Sequence, residues 1–115
     1  MLVRYKKSLE KIAMGLLSFM PDEKDVKRLQ QTIKEYEENP NWHLFLWKEE
    51  DILGSIGVRM EDEKKAVIQH VSVNPSHRNQ GLGRKMIQGV KDLYGNEYVI
   101  CANEKTESFV QKCES

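Results

Sequence analysis

The chain has 115 residues, near the commonest size for one folding domain and enough to bury roughly two-thirds of the surface that an unfolded chain exposes. Eighteen Lys and Arg balance eighteen Asp and Glu, and this zero net charge argues against nucleic acid as the main partner, since a phosphate backbone calls for a net basic surface. The apolar stretch Ile12 to Met20 follows Lys6, Lys7 and Lys11, but Glu10 interrupts the basic run, no small-residue cleavage site follows, and the stretch is far too short for a bilayer core of about 30 Å.

Leu2 to Tyr5 alternates like a short first strand. Leu9, Ile12, Ala13, Leu16 and Met20 then recur at helical spacing, with Ser8 as the expected cap and Pro21-Asp22 as the stop. Asp22 is placed to cap a second helix, whose stripe is Val26, Leu29, Ile33 and Tyr36 and which ends near Asn39-Pro40. Trp42 to Trp47 is apolar apart from His43 and predicts a strand buried on both faces. The charged turn Glu49-Glu50-Asp51 links it to Ile52–Val58 as a hairpin. A second charged turn, Glu61 to Lys65, leads to a strand over Ala66 to Val73. Leu82, Met86, Ile87, Val90 and Leu93 form the inner stripe of the next helix, closed at Gly95-Asn96. Tyr98 to Cys101 is a short strand, and Thr106, Phe109, Val110 and Cys113 share one face of a final helix. The predicted order is β-α-α-β-β-β-α-β-α in a single domain over residues 1–115.

Cys101 and Cys113 show neither metal-type spacing nor a disulfide framework, and His43, His70 and His77 are too scattered for zinc. A cytoplasmic protein without a metal, a membrane segment or a nucleic-acid partner is the simplest reading.

The densest chemical signal is Val71 to Ile87, VSVNPSHRNQGLGRKMI, where a strand turns through Asn74-Pro75 into a glycine-punctuated helix entry. The first N–H groups of a helix lack intrahelical partners, and the aligned peptide dipoles make that end positive. Gly81 and Gly83 allow close backbone approach, and Arg78 adds a cation. Together they predict an anion cradle suited to phosphate. Neither the dinucleotide pattern with its third glycine nor the Gly-Lys-Ser/Thr end of a P-loop is present.

The string V-x-P-x-x-R-x-x-G-x-G between a strand and a helix resembles motif A of the GNAT superfamily of N-acetyltransferases, and the element order agrees over nearly the whole chain. The resemblance implies a GNAT-like α/β (α+β) fold: a mixed, mostly antiparallel sheet flanked by helices, here lacking the usual C-terminal strands. It implies acetyl-CoA or coenzyme A as co-substrate, held where the fourth and fifth strands splay apart. By that likeness Val71, Ser72 and Val73 line the pantetheine, with the valine backbones pairing to it. Arg78, Asn79, Gln80, Gly81, Leu82, Gly83 and Arg84 wrap the pyrophosphate. Asn103 meets the pantetheine or cysteamine amides, and Phe109 packs against the arm. Taken alone, Val71 and Val73 are also core strand residues, Asn103 also a helix cap, and Phe109 also a core residue.

The longer strings RYKKSLEKIAMGLLSFMPDEKD, LFLWKEEDILGSIGV and NPSHRNQGLG resemble a narrower family, the RibT-type proteins of bacterial riboflavin operons. That likeness implies a genetic link to flavin synthesis and identifies no substrate.

The chemistry the superfamily implies is direct attack of an amine on the acetyl thioester, with backbone N–H groups at a break in the fourth strand stabilising the oxyanion. The acid and base are not evident. The family's acidic tyrosine falls at Val110, and positions that supply a base in some relatives fall at Val67 and Gln69. Strand alternation turns His70 to the opposite face from Gln69 unless a bulge intervenes, so His70 reads as a packed or surface histidine. Tyr94, Tyr98 and Cys113 are alternative acids that spacing does not select among. Two functions stay open: an N-acetyltransferase acting on an unknown amine, and a non-catalytic acyl-CoA-binding sensor linked to riboflavin synthesis. With no further strands, the fifth strand is an exposed edge, which predicts a homodimer or a wide acceptor cleft.

Overall fold

The computed structural model describes residues 1–20, 25–62, 64–78 and 80–114. The elements are β1 (Leu2–Arg4), a 3-10 turn (Lys7–Leu9), α1 (Glu10–Leu17), α2 (Val26–Glu38), β2 (Trp42–Lys48) and β3 (Ile52–Glu61). They continue with β4 (Lys65–Val73), a 3-10 turn (Pro75–His77), α3 (Leu82–Tyr94), β5 (Val99–Ala102) and α4 (Glu107–Glu114). The predicted order holds, with two short 3-10 turns added. The five strands lie in sequence order, the first three pairings antiparallel and β4–β5 parallel. This is the mixed α/β, mostly antiparallel sheet flanked by helices that the sequence predicted, with β5 at one edge.

The sheet separates two apolar layers. On one face Ile56, Val58, Ala66, Ile68, Val71 and Val73 pack with Leu82, Met86, Ile87 and Val90 of α3. On the other, Leu44 and Leu46 pack with Ala13, Leu16 and Leu17 of α1 and Leu29, Ile33 and Tyr36 of α2. Residues Leu44, Phe45 and Leu46 therefore bury both faces of β2, as its continuous apolar run predicted.

Local chemistry departs from expectation at the helix starts. Ser8 lies inside the first 3-10 turn, where Leu9 N–H bonds Lys6 O at 2.8 Å, and α1 begins at Glu10 without a side-chain cap. That tighter turn occupies the residues where the cap was expected. Asp25 caps α2, its carboxylate accepting from Lys27 N–H at 2.8 Å. The proposed stop at Pro21-Asp22 and cap at Asp22 lie outside the described residues; α1 itself ends at Leu17.

The decisive irregularity is in β4. Gly57 pairs with His70 but the next residue, Val58, pairs with Ile68, so Gln69 is an extra residue on β4. Ala66 and Ile68 face the α3 layer before the break, and Val71 and Val73 face it afterwards. Parity has changed by one, which overturns the reading that places Gln69 and His70 on opposite faces. A bulge needs an unpaired residue, and period-two alternation by itself has no means of marking one.

Candidate active site

At the carboxyl end of β4 the sheet opens. β5 pairs with Lys65 to Ile68 through Val99 to Ala102, then leaves the strand. Thr106 closes the point of divergence: it is fully buried, and its hydroxyl donates to Ile68 O at 2.6 Å. Beyond it, among the described residues, His70 to Val73 pair with β3 alone. A strand edge with unpaired N–H and C=O groups can accept an extended, amide-bearing ligand.

A cavity of about 580 Å³ occupies this opening. Val71, Ser72 and Val73 form its strand wall, and Arg78, Gly81, Leu82, Gly83 and Arg84 form the end at α3. Phe109 of α4 stands across from them. Gly81 precedes α3 in a left-handed conformation, φ 76°, and a Cβ placed on it would meet nothing within 4 Å. The helix entry is therefore open, and Gly81 places no side-chain cap on it, the kind of helix start that suits an anion. Asn74 shapes the approach, its side chain accepting from Ser76 N–H at 3.0 Å.

Two sequence-predicted residues, Gln80 and Asn103, stand apart from this wall, and a third is not described. Asn79 lies outside the described residues, and Gln80 is exposed but does not line the cavity. Asn103 turns its Oδ1 to the start of α4, accepting from Lys105 N–H and Thr106 N–H, each at 3.0 Å. Its side-chain oxygen thus serves the helix start, and it too is outside the lining.

Other lining residues were not singled out from sequence. Phe19 and Met20, in the turn after α1, supply an apolar wall. His77, Lys105 and Lys112 add to Arg78 and Arg84, and among the described lining residues none is acidic. Phe109 and Lys112 lie three residues apart on α4, with Lys105 in the turn before it. The residues present fit a polyanionic ligand with an apolar, amide-bearing arm. They provide cations and helix N–H groups at one end, an unpaired strand edge along the middle, and Phe19, Met20 and Phe109 beside it.

A model of the acetyltransferase (GNAT) family matches residues 9–113. The chain belongs to that family. It is 57% identical over 115 residues to an uncharacterized N-acetyltransferase in the lysA 3′ region of Bacillus methanolicus, covering 99% of this chain and 95% of that one. Aminoglycoside N-acetyltransferase AAC(6')-Iy in complex with CoA superposes with a TM-score of 0.78 at 12% identity, over 97% of this chain and 81% of that one. A GNAT family acetyltransferase of Staphylococcus aureus gives 0.74 at 18%, over 90% and 85%. Glucosamine-6-phosphate N-acetyltransferase of Arabidopsis thaliana gives 0.68 at 16%, over 100% and 90%. At such identities the superpositions establish a shared fold. Family membership and the N-acetyltransferase relative together identify a GNAT-type acetyltransferase.

On the α1/α2 side of the opening lies a buried polar row. The Ser55 and Ser72 hydroxyls are 2.8 Å apart, and Ser72 reaches the cavity. One step deeper, the Tyr36 hydroxyl lies 2.6 Å from His70 Nδ1 and accepts from Gln69 Nε2 at 3.1 Å. His70 is indeed packed, as the sequence suggested, but on the same face as Gln69. Of the alternative acids, Tyr94 sits in an aromatic group with His43, Phe45 and Tyr98 beside a second cleft, whose lining shares no residue with the first. Burial raises the Tyr94 phenol above its ordinary value. The Cys113 side chain lies outside the described atoms.

Proposed function

We propose that this acetyltransferase moves an acetyl group from acetyl-CoA to an amine by direct attack. The observation that carries this reading is the cation-lined cavity joining the uncapped start of α3 to the unpaired edge of β4. Arg78, Arg84 and the N–H groups from Gly81 onward hold the pyrophosphate, with Lys105 and Lys112 adding positive charge. The Val71 and Val73 backbones bind the pantetheine amides along the edge, Ser72 lies beside them, and Phe109 covers the arm. Asn79, Gln80 and Asn103 are assigned to the same ligand from the motif. The bound co-substrate supplies an activated thioester; the protein's part is to position it, exclude water and offer strand N–H groups to the developing oxyanion. Binding at CoA-containing neighbours of the same fold supports the cofactor assignment, and a neighbour bound to a CoA–aminoglycoside bisubstrate analogue supports an amine as the class of acceptor.

A non-catalytic acyl-CoA sensor is the rival reading. Val110, where the family's motif spacing places an acidic tyrosine, packs against the apolar core and has no proton to give. The likeness of the chain's longer strings to riboflavin-operon proteins supports a role for either function beside flavin synthesis. The outer edge of β5 is where a second copy of the chain would pair, and a dimeric mass by light scattering is the expected result.

Calorimetric titration with acetyl-CoA and coenzyme A, followed by thiol release over a panel of amines, decides between the readings. Binding with amine-dependent release is expected. Binding without release under any amine shifts the assignment to the sensor, and no binding removes both.

A further inference from the structure

We infer that the acceptor is an arylamine, its nitrogen bonded to an aromatic ring and uncharged at neutral pH. This rests on the acyl-transfer reading above and narrows its acceptor. The cavity is lined from both faces of the sheet. Val71 and Val73 belong to the apolar layer under α3, so alternation turns Ser72, between them, to the other face. There its hydroxyl meets that of Ser55, and all three β4 residues line the cavity. On that second face α1 packs, and the turn after it brings Phe19 and Met20 to the same cavity. Phe109 packs against the α3 layer instead. The cavity therefore has a cationic end at the entry to α3 and an apolar end at the turn after α1. A co-substrate whose phosphates lie at the first end leaves Phe19 and Met20 to meet the acceptor.

The chemistry of that end favours a ring over a charged chain. Phe19 is 41% exposed although it walls a cavity, and Met20 beside it is 5% exposed. An incoming ring covers the open phenyl, and a thioether is a favourable neighbour for an aromatic edge. An alkylammonium gives up its hydration against these two side chains, which costs far more than burying a neutral ring. It also enters a cavity whose charged side chains among the described lining residues, Arg78, Arg84, Lys105 and Lys112, are all cations.

Basicity points the same way. Attack on the thioester needs the neutral amine, and an alkylamine as basic as lysine, with a pKa of about 10.4, is neutral in only about one molecule in a few thousand at neutral pH. An arylamine shares its lone pair with the ring and is neutral already, so it binds and attacks in the same state. In the reaction the aryl nitrogen bonds to the thioester carbonyl carbon and the C–S bond breaks. The proton that the nitrogen sheds passes through solvent to the departing thiolate, which gives coenzyme A as its thiol and an N-acetylarylamide.

The test follows thiol release from acetyl-CoA with aniline, benzylamine and cyclohexylamine against pH, in the native chain, Phe19→Ala and Phe19→Leu, with the CoA affinity of each. Benzylamine keeps the ring but has an alkyl nitrogen, and cyclohexylamine has no aromatic ring. In the native chain aniline is expected to exceed both in kcat/KM at neutral pH by about 10-fold or more, with a flat pH profile where the benzylamine rate climbs roughly tenfold per pH unit. Phe19→Ala is expected to raise the aniline KM by about 3–10-fold and to leave CoA affinity unchanged. Faster transfer to benzylamine or cyclohexylamine than to aniline at neutral pH overturns this inference alone. So does an unchanged aniline KM in folded Phe19→Ala, or a loss of CoA affinity as large as the rise in KM, which would give Phe19 to the pantetheine arm. If Phe19→Ala does not fold, Phe19→Leu, which removes the ring and keeps an apolar side chain, is read by the same outcomes. Absence of transfer to all three amines overturns the acyl-transfer reading, and this inference with it.

Discussion

The two halves of β4 have the same neighbour on one side and opposite fates on the other. Lys65 to Ile68 are bracketed by β3 and β5, and Ala66 and Ile68 are fully buried. His70 to Val73 keep β3 but not β5, and three residues of that half, Val71, Ser72 and Val73, wall the cavity. Gln69 is the residue between them, paired to neither register. One strand thus serves as core wall and then as cavity edge. The change costs one extra residue, with Thr106 fastening α4 to the last carbonyl before the split. Substitutions in the first half should therefore appear in stability, and substitutions around the second in ligand binding.

The largest departure is expected from Gly81→Glu, which puts bulk and negative charge at the anion end of the cavity. CoA affinity should fall by about 100-fold, or roughly 2.8 kcal/mol, in calorimetry. Because Gly81 is left-handed, a folding cost of about 1–2 kcal/mol accompanies it. Native CoA affinity in this variant would break the assignment of the ligand half.

Gly57→Ala probes the junction itself. The added methyl collides with Tyr36, so unfolding free energy should fall by about 1–3 kcal/mol in urea titration. CoA affinity should hold, since neither Tyr36 nor its partner His70 lines the cavity. Thr106→Val belongs to the core half: it deletes the donor to Ile68 O and should cost about 1–3 kcal/mol of stability.

Smaller effects sharpen the division. Lys105→Ala should weaken CoA binding by a few-fold and reduce its salt dependence, as loss of one screened cation would. Far from β4, burial and then the Arg4 charge hold the His43 imidazole below its ordinary value of 6.5. The unfolded chain then binds more protons than the folded one between the depressed value and 6.5, so this contribution to stability is present above that window and lost as pH falls through it. A slightly lower urea midpoint in mild acid than at neutrality is expected, with the slope reduced in His43→Gln; CoA affinity should not follow it.

Much of this architecture was legible residue by residue. The apolar stripe of Leu82, Met86, Ile87 and Val90 announced α3, although Leu93, read into the same stripe, is exposed, and the turn chemistry of Asn74-Pro75 with Gly81 announced its entrance. Arg78, Gly81, Gly83 and Arg84 were found because the loop that brings them together is contiguous in sequence. Lys112, on α4 with Phe109, and Lys105, in the turn before it, were passed over, since exposed lysines are ordinary until the opposite wall is known. Ser8 failed as a cap because a tighter local turn competed for the same residues.

By itself, then, the sequence determined the element order, the mixed sheet and the glycine-marked entry to α3, because periodicity, turn residues and motif spacing act over a few neighbouring positions. Tertiary structure decided the bulge at Gln69, the meeting of Tyr36 with His70 across 34 residues, and the convergence of α1, α3 and α4 on one cavity. Those depend on which strand pairs with which, and on the room that Gly57 leaves for a hydroxyl from another element. A single unpaired residue in β4 reverses the facing of every later side chain, and that choice is made by packing between elements distant along the chain.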